Sequence, residues 1–225
     1  NYEMAKLNKG WVVFFLDVQM IKFEDIVCGL PADLFRGKLV VDVCPLFAHP
    51  KEVMLRVFGS RPDVDILCSH LMFGPIDRAG AKSGSSDGGD PYSSSTSWDG
   101  RPLVYEKVRI SNVPRLERYL RIFEDARCRL VEMNAEQHDA SIADAEFVTH
   151  LTGRLLVDKE LLPPAPVISK EYAALCDVAD MTAADSFDLF FGMFKFNQNA
   201  RKHLTKMRDN LATLERQLAA KEAYL

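Results

Sequence analysis

No Gly-x-Gly-x-x-Gly stands anywhere in the sequence, and no Cys-x-x-Cys pair. No apolar run approaches the ~18 residues that a membrane helix needs. The longest candidate, Trp11 to Val18, has the length of a strand. A basic excess is missing as well: the formal net charge is −4 and the pI is near 5.8. That speaks against a nucleic-acid surface, which usually carries a basic stripe. The five cysteines are odd in number and far apart (Cys28, Cys44, Cys68, Cys128 and Cys176). With no close pair, zinc and redox-motif chemistry have little support, and the expectation is buried free thiols in a reducing compartment. No signal peptide is visible, and the chain opens on Asn1 instead of methionine, as expected for a processed, trimmed or partial product.

What is present is apolar material in a regular order. The 225 residues are 48% hydrophobic, enough for one large domain or two small ones. Short apolar runs stand at Trp11 to Leu16, Leu39 to Cys44, Asp65 to Cys68, Leu103 to Val108 and Arg129 to Met133. Helical spacing separates several of them, at Phe23 to Leu30, Pro50 to Phe58 and Pro114 to Ala126. Continuous apolar strands alternating with helices predict a parallel sheet covered on both faces, over residues 1–134. Residues 76–102 interrupt that pattern. From Gly80 to Ser97 they are rich in glycine and serine with no aliphatic side chain larger than alanine, which predicts a flexible surface loop.

From about residue 135 to 225 the period becomes helical throughout. Helices are expected at Ile142 to Leu156, Ser169 to Ala179, Ser186 to Phe196 and Asn199 to Tyr224, with a break at Pro163, Pro164 and Pro166. Leu204, Met207, Leu211, Leu214 and Leu218 form a narrow seam on the last helix. The seam fits packing within the subunit or pairing between subunits.

Four ordered segments carry a family resemblance: Asp65 to Pro75, Leu103 to Ile110, Glu136 to Arg154 (with Glu136, Gln137, His138, Asp139 and Phe147 to Arg154), and Asp185 to Ala200. They resemble the plant-type arogenate/prephenate dehydrogenases over about residues 11–218. The resemblance implies oxidation of a cyclohexadienyl ring with loss of its carboxylate and hydride transfer to a nicotinamide. It implies NADP as cofactor if the chain is active, a chloroplast location, and a Rossmann domain followed by an all-helical domain that forms the dimer. The fold expected is therefore α/β then all-α: a partial Rossmann-type sheet lacking its N-terminal phosphate-binding half, then a helical dimerisation-type domain. On that reading this chain alone binds no cofactor, and the open sheet edge or the helical half would meet a protein partner, in a homodimer or a hetero-complex.

The sequence departs from the family pattern at the reaction centre. Where members carry Ser-Val-Lys, this chain has Pro45-Leu46-Phe47, so a hydroxyl and a cation are replaced by groups that supply neither. Leu71 stands for the proline of a His-Pro pair, and Ile76, Asp77 and Arg78 replace a Glu-Ser-Gly run. By resemblance His70 is the catalytic histidine, accepting a hydrogen bond or proton from the ring hydroxyl. The alternative is a loop-facing histidine without chemical work. His150 and Arg154 are the implied substrate-binding residues; otherwise His150 is satisfied by Asp144, Glu146 or a carbonyl, and Arg154 is solvated. His138 and Asp139 are expected to cap a helix beginning near residue 140. His49 and His203 are expected at the surface, and Cys44 without an activating partner. His70, Pro45 and His150 are expected at one cleft. No cofactor-binding or metal-binding residue is singled out.

Overall fold

The computed structural model describes residues 13–72, 98–157 and 169–224. The glycine- and serine-rich stretch Gly80 to Ser97 and the Pro163–Pro166 break lie outside them. The chain divides into two compact units, one of residues 1–18 and 22–135, the other of residues 19–21 and 136–225.

The first unit is a five-stranded sheet in the order β1-β2-β3-β4-β5. The strands are β1 (Val13–Leu16), β2 (Leu39–Asp42), β3 (Asp65–Leu71), β4 (Pro102–Arg109) and β5 (Arg129–Glu132). β1, β2 and β3 pair in parallel, and so do β4 and β5. β3 and β4 are antiparallel, with a register irregularity at Ile66/Leu67. The expected all-parallel sheet is thus mostly parallel, with one reversed pair. The apolar runs mark burial on both faces but carry no sign of direction.

Helices cover the two faces. α1 (Phe23–Gly29) and α2 (Ala48–Val57) follow β1 and β2, and α3 (Val113–Asp125) crosses from β4 to β5. Strand alternation sends Val40, Ile66, Cys68 and Val104 to one face, where they bury with Phe23, Phe35, Phe47, Met54 and Phe58. Leu39, Val41, Leu67, Leu103 and Tyr105 go to the other, against Leu116, Tyr119 and Phe123 of α3. Asn112 caps α3 by accepting from the Arg115 N–H at 3.0 Å, and Pro114 occupies the first turn, where no backbone donor is needed.

At the amino end of β3 the buried Asp65 collects five donors. They are the backbone and hydroxyl of Ser111 (2.6 and 2.7 Å), the Asn112 N–H (3.2 Å), and Nε and Nη2 of Arg115 (3.1 and 2.7 Å). Arg115 also donates to the Gly37 carbonyl, where φ is +65° and glycine avoids the Cβ penalty.

The second unit is helical. α4 (Ala135–Ile142) runs through a π turn, Ala143–Phe147, into α5 (Val148–Leu156); α6 (Lys170–Ala184), α7 (Phe187–Phe196) and α8 (Gln198–Glu222) follow. Ser169, Ser186 and Asn197 cap α6, α7 and α8 through their side chains. α5 and α6 approach closely at Gly153, where a Cβ would run into the Thr182 hydroxyl and lie 2.8 Å from the Val178 carbonyl. Phe147 stacks on Phe190 at 5.3 Å between centroids.

Three expectations change here. His138 and Asp139 do not cap a helix starting near 140. The helix begins two turns' worth of chain earlier than its apolar period suggests, and both side chains are buried inside it, with Nδ1 of His138 2.9 Å from Oδ1 of Asp139. Of the cysteines, all free, Cys44, Cys68 and Cys128 are buried but Cys28 is exposed and Cys176 half-buried. His49 and His203 are half-buried: His49 lies edge-on to Phe23, and Nε2 of His203 is 2.7 Å from Asp144.

Candidate functional site

The carboxyl edge of an open α/β sheet is where strand ends and helix starts leave room for a ligand. In the first unit that edge is formed by Leu16 to Val18, Asp42 to Phe47, and His70 to Met72. His70 is half-buried and pairs across to Val104. Alternation puts it on the α2 face with Cys68, Glu106 and Asp42. On the opposite face, the Ser69 hydroxyl donates to the Asp42 carbonyl at 3.3 Å and lies 3.1 Å from the Tyr119 hydroxyl. That small network ties the ends of β2 and β3 together beneath His70. Burial pushes the Tyr119 phenol up to about 12, against the opposing pull of Ser69, so it stays a neutral hydrogen-bonding group.

The segment after β2 is built as packing. Asp42 is buried and accepts the Cys44 N–H at 3.0 Å. The Cys44 thiol donates to the Val18 carbonyl at 3.4 Å. Burial, reinforced by the nearby Asp42 carboxylate, pushes that thiol far up, so it is held as the unreactive SH form. Pro45 is half-buried and brings no donor. Phe47 is fully buried in the core under α2, at the helix N-terminus. Where the family places a lysine, this chain therefore spends the position on core volume.

Two described strand-to-helix turns lie at this edge, those after β1 and β2, and a dinucleotide would have to fit one of them. A pyrophosphate needs glycine-allowed close approach and free backbone N–H groups. The Asp17–Lys22 turn contains no glycine and carries an exposed carboxylate at Asp17. The Val43–Phe47 turn contains none either, and its Cys44 N–H is already taken. These residues do not fit the phosphates. Among the described residues, no group of three acidic, histidine or cysteine side chains could hold a metal ion.

In the second unit, Glu146, His150 and Arg154 follow one another at four-residue spacing down the same stretch of helix. His150 is 7% exposed; its Nε2 faces Oδ2 of Asp185 at 3.6 Å, and its Nδ1 has no hydrogen-bond partner among the described residues. Burial lowers its pKa, with Arg154 adding to that and Asp185 and Glu146 opposing it, so the imidazole is neutral near pH 7. Arg154 donates to the carbonyls of Asp185 (2.9 Å) and Ser186 (3.1 Å), and its guanidinium lies over the rings of Phe187 and Phe190 at 5.5 and 5.2 Å. It is half-buried, and its Nε has no hydrogen-bond partner among the described residues. Asp185 thus meets both basic residues, one through its carboxylate and one through its carbonyl. Nothing local in the sequence marks Asp185, a residue between two helices, as a partner of His150 and Arg154 more than thirty positions earlier.

Residues 156–224 match the family model described as TYRAAT1-like, C-terminal domain. The chain is 36% identical over 200 residues to arogenate dehydrogenase 2, chloroplastic, of Arabidopsis thaliana, covering 87% of this chain and 51% of that protein. It is also 36% identical over 200 residues to arogenate dehydrogenase 1, chloroplastic, of the same plant, covering 87% of this chain and 29% of that one. The chain therefore spans about half, or less, of the length of these curated relatives. The crystal structure of prephenate dehydrogenase from Aquifex aeolicus shares the fold, with a TM-score of 0.66 at 18% identity, covering 98% of this chain and 74% of that one.

Proposed function

Since the chain belongs to the arogenate/prephenate dehydrogenase family, we propose that it is a catalytically degenerate member that serves as a structural or interaction subunit. The observation that carries this reading is the use of the Pro45–Phe47 segment. A hydroxyl and a cation are absent there, and their places are filled by a residue without a donor and by a ring that is 0% exposed. Reversing that would need more than a surface change, because the Phe47 ring fills the core beneath α2. The helical unit, by contrast, keeps its caps, its close helix contact and its stacked rings. Chemistry lives in the site and not in the fold, and on this reading the site has changed while the scaffold has not.

A second reading is favoured by the survival of His70 and His150. On it, the chain is part of an active NADP-dependent arogenate dehydrogenase of tyrosine biosynthesis, with the phosphate-binding turn supplied by further polypeptide. His70 would then take the proton of the ring hydroxyl, while His150 and Arg154 face the substrate's carboxylate. On either reading we place the protein in the chloroplast, by its similarity to relatives so named. The deciding experiment is a spectrophotometric assay of the native protein, isolated from its source at its full natural length, with arogenate or prephenate and either nicotinamide dinucleotide. The expected result is no turnover above background. Turnover at an ordinary enzymatic rate, on the order of 1–10³ per second, would discard the degenerate reading.

A further inference from the structure

Across the middle of the sheet three side chains form one row on the α2 face: Asp42 of β2, Cys68 of β3 and Glu106 of β4, paired in register. His70 stands one step nearer the carboxyl edge on the same face, diagonal to Glu106. Diagonal neighbours on one face lie about 7–8 Å apart, within reach of long side chains. Glu106 belongs to neither surface nor core by type: its side chain is 14% exposed. From the first turn of α2, Lys51 Nζ meets its Oε1 at 2.6 Å, while Oε2 is buried with no hydrogen-bond partner among the described residues.

A half-buried ion pair costs desolvation of both groups, and an apolar pair would fill the space as well. Retaining it under a histidine at the ligand-facing edge calls for a role. We propose that Glu106 and Lys51 are positioning residues for His70: the ion pair sets the charge that the imidazole feels and holds its ring facing the edge. This rests on His70 being the histidine of the reaction centre, but it does not require turnover. Lys51 lies one helical turn after Phe47, whose carbonyl accepts its N–H at 2.9 Å. A cation is thus still delivered from the start of α2, aimed at the sheet instead of at the edge.

Other charged or titratable groups on this side include Asp42, which accepts the Cys44 N–H, the exposed Asp17, near enough to act on the Cys44 thiol, the buried Cys44 and Cys68 thiols, and His49 of α2. None is a mobile cation that could replace Lys51. The pair's two members act on His70 with opposite signs, and that gives a test that a merely structural role would not pass. The full chain, labelled at its histidines with ¹⁵N, is titrated by NMR, with His70 assigned by His70→Gln. Glu106→Gln leaves Lys51 alone and should lower the His70 midpoint; Lys51→Met leaves Glu106 alone and should raise it, each by about half to one pH unit. The double variant removes both charges and should return the midpoint close to its starting value; Lys51→Gln and Glu106→Ala repeat the two single tests if either first variant folds poorly, and the overturning outcomes are read on the single variants alone. Midpoints that do not move, or that move in the same direction in both single variants, overturn the proposal. Neither substrate nor nicotinamide is present, so an inactive chain can pass this test and an active one can fail it.

Discussion

Asp65 is the residue on which the first unit's amino edge depends. Five donors converge on it, and Arg115, itself 6% exposed at its side chain, supplies two. Arg115→Met would leave a buried carboxylate without its counter-charge and should destabilise folding by about 3–5 kcal/mol, measured by denaturant unfolding. Burial alone would raise the Asp65 carboxyl, but the two Ser111 hydrogen bonds and Arg115 outweigh it and hold it below the ordinary range. A carboxyl depressed in the folded state contributes stability above its unfolded pKa and loses it as pH falls through the folded value. Asp65→Asn should therefore lower stability at neutral pH and flatten its decline below about pH 4; an unchanged acid limb would contradict this assignment. Gly153 makes a separate prediction. Gly153→Ala should cost about 1–3 kcal/mol by overpacking α5 against α6. Adding Thr182→Ala should recover part of the loss, because the Val178 carbonyl still lies 2.8 Å from the new methyl. Full recovery would mean that only the hydroxyl was in the way. Neither Asp65 nor Gly153 was legible beforehand, since both depend on partners 25 or more positions away.

At the scale of elements the sequence was far more informative. All five strands and the helices after β1, β2 and β4 fall where apolar runs and helical spacing place them, within a few residues. Burial on both faces writes itself into strand composition, and one-sided burial into helix period. Strand direction and the start of α4 were not legible. The reversal at β4 leaves no trace in its residues, and α4 opens with Ala135 to Asp139, whose buried polar side chains look like a cap. The seam on α8 was legible but ambiguous, and its exposure resolves part of the ambiguity. Leu211, Leu214 and Leu218 are 62%, 55% and 70% exposed, so the described residues of this chain do not cover them. Leu211→Lys with Leu218→Lys should leave the unfolding temperature of the isolated chain nearly unchanged and weaken self-association at least tenfold in sedimentation. A large fall in stability with unaltered association would place the seam inside the subunit after all. The remodelled turn after β2 carries its own expectation: Pro45→Ser alone restores a hydroxyl but neither the cation nor a phosphate cradle, and should produce no measurable turnover.

For the whole molecule the expected consequence is association. An apolar seam some four turns long on α8, with Phe15 of β1 53% exposed on the flank of the sheet, is more apolar surface than a solitary chain usually leaves uncovered. A homodimer through the helices or docking onto other chains would each cover it. Light scattering at micromolar concentration should return a mass above the 25.4 kDa of one chain. A stable, folded monomer there would refute the association. A homodimer with nothing else bound would favour the enzyme-like reading over a hetero-complex.

The π turn between α4 and α5 has a further consequence, best put as a matter of phase. Twelve positions separate His138 from His150. In an unbroken α-helix, at about 100° per residue, that spacing would set them about 120° apart; one residue absorbed in the wider turn reduces the angle to about 20°. Both histidines are buried, and the extra residue is what lets one continuous helix turn both of them inward. The turn behaves as a one-codon insertion that the helix has kept. Deleting the exposed Ala145 should give a smoother helix and a less stable protein, with one of the two histidines swung into water.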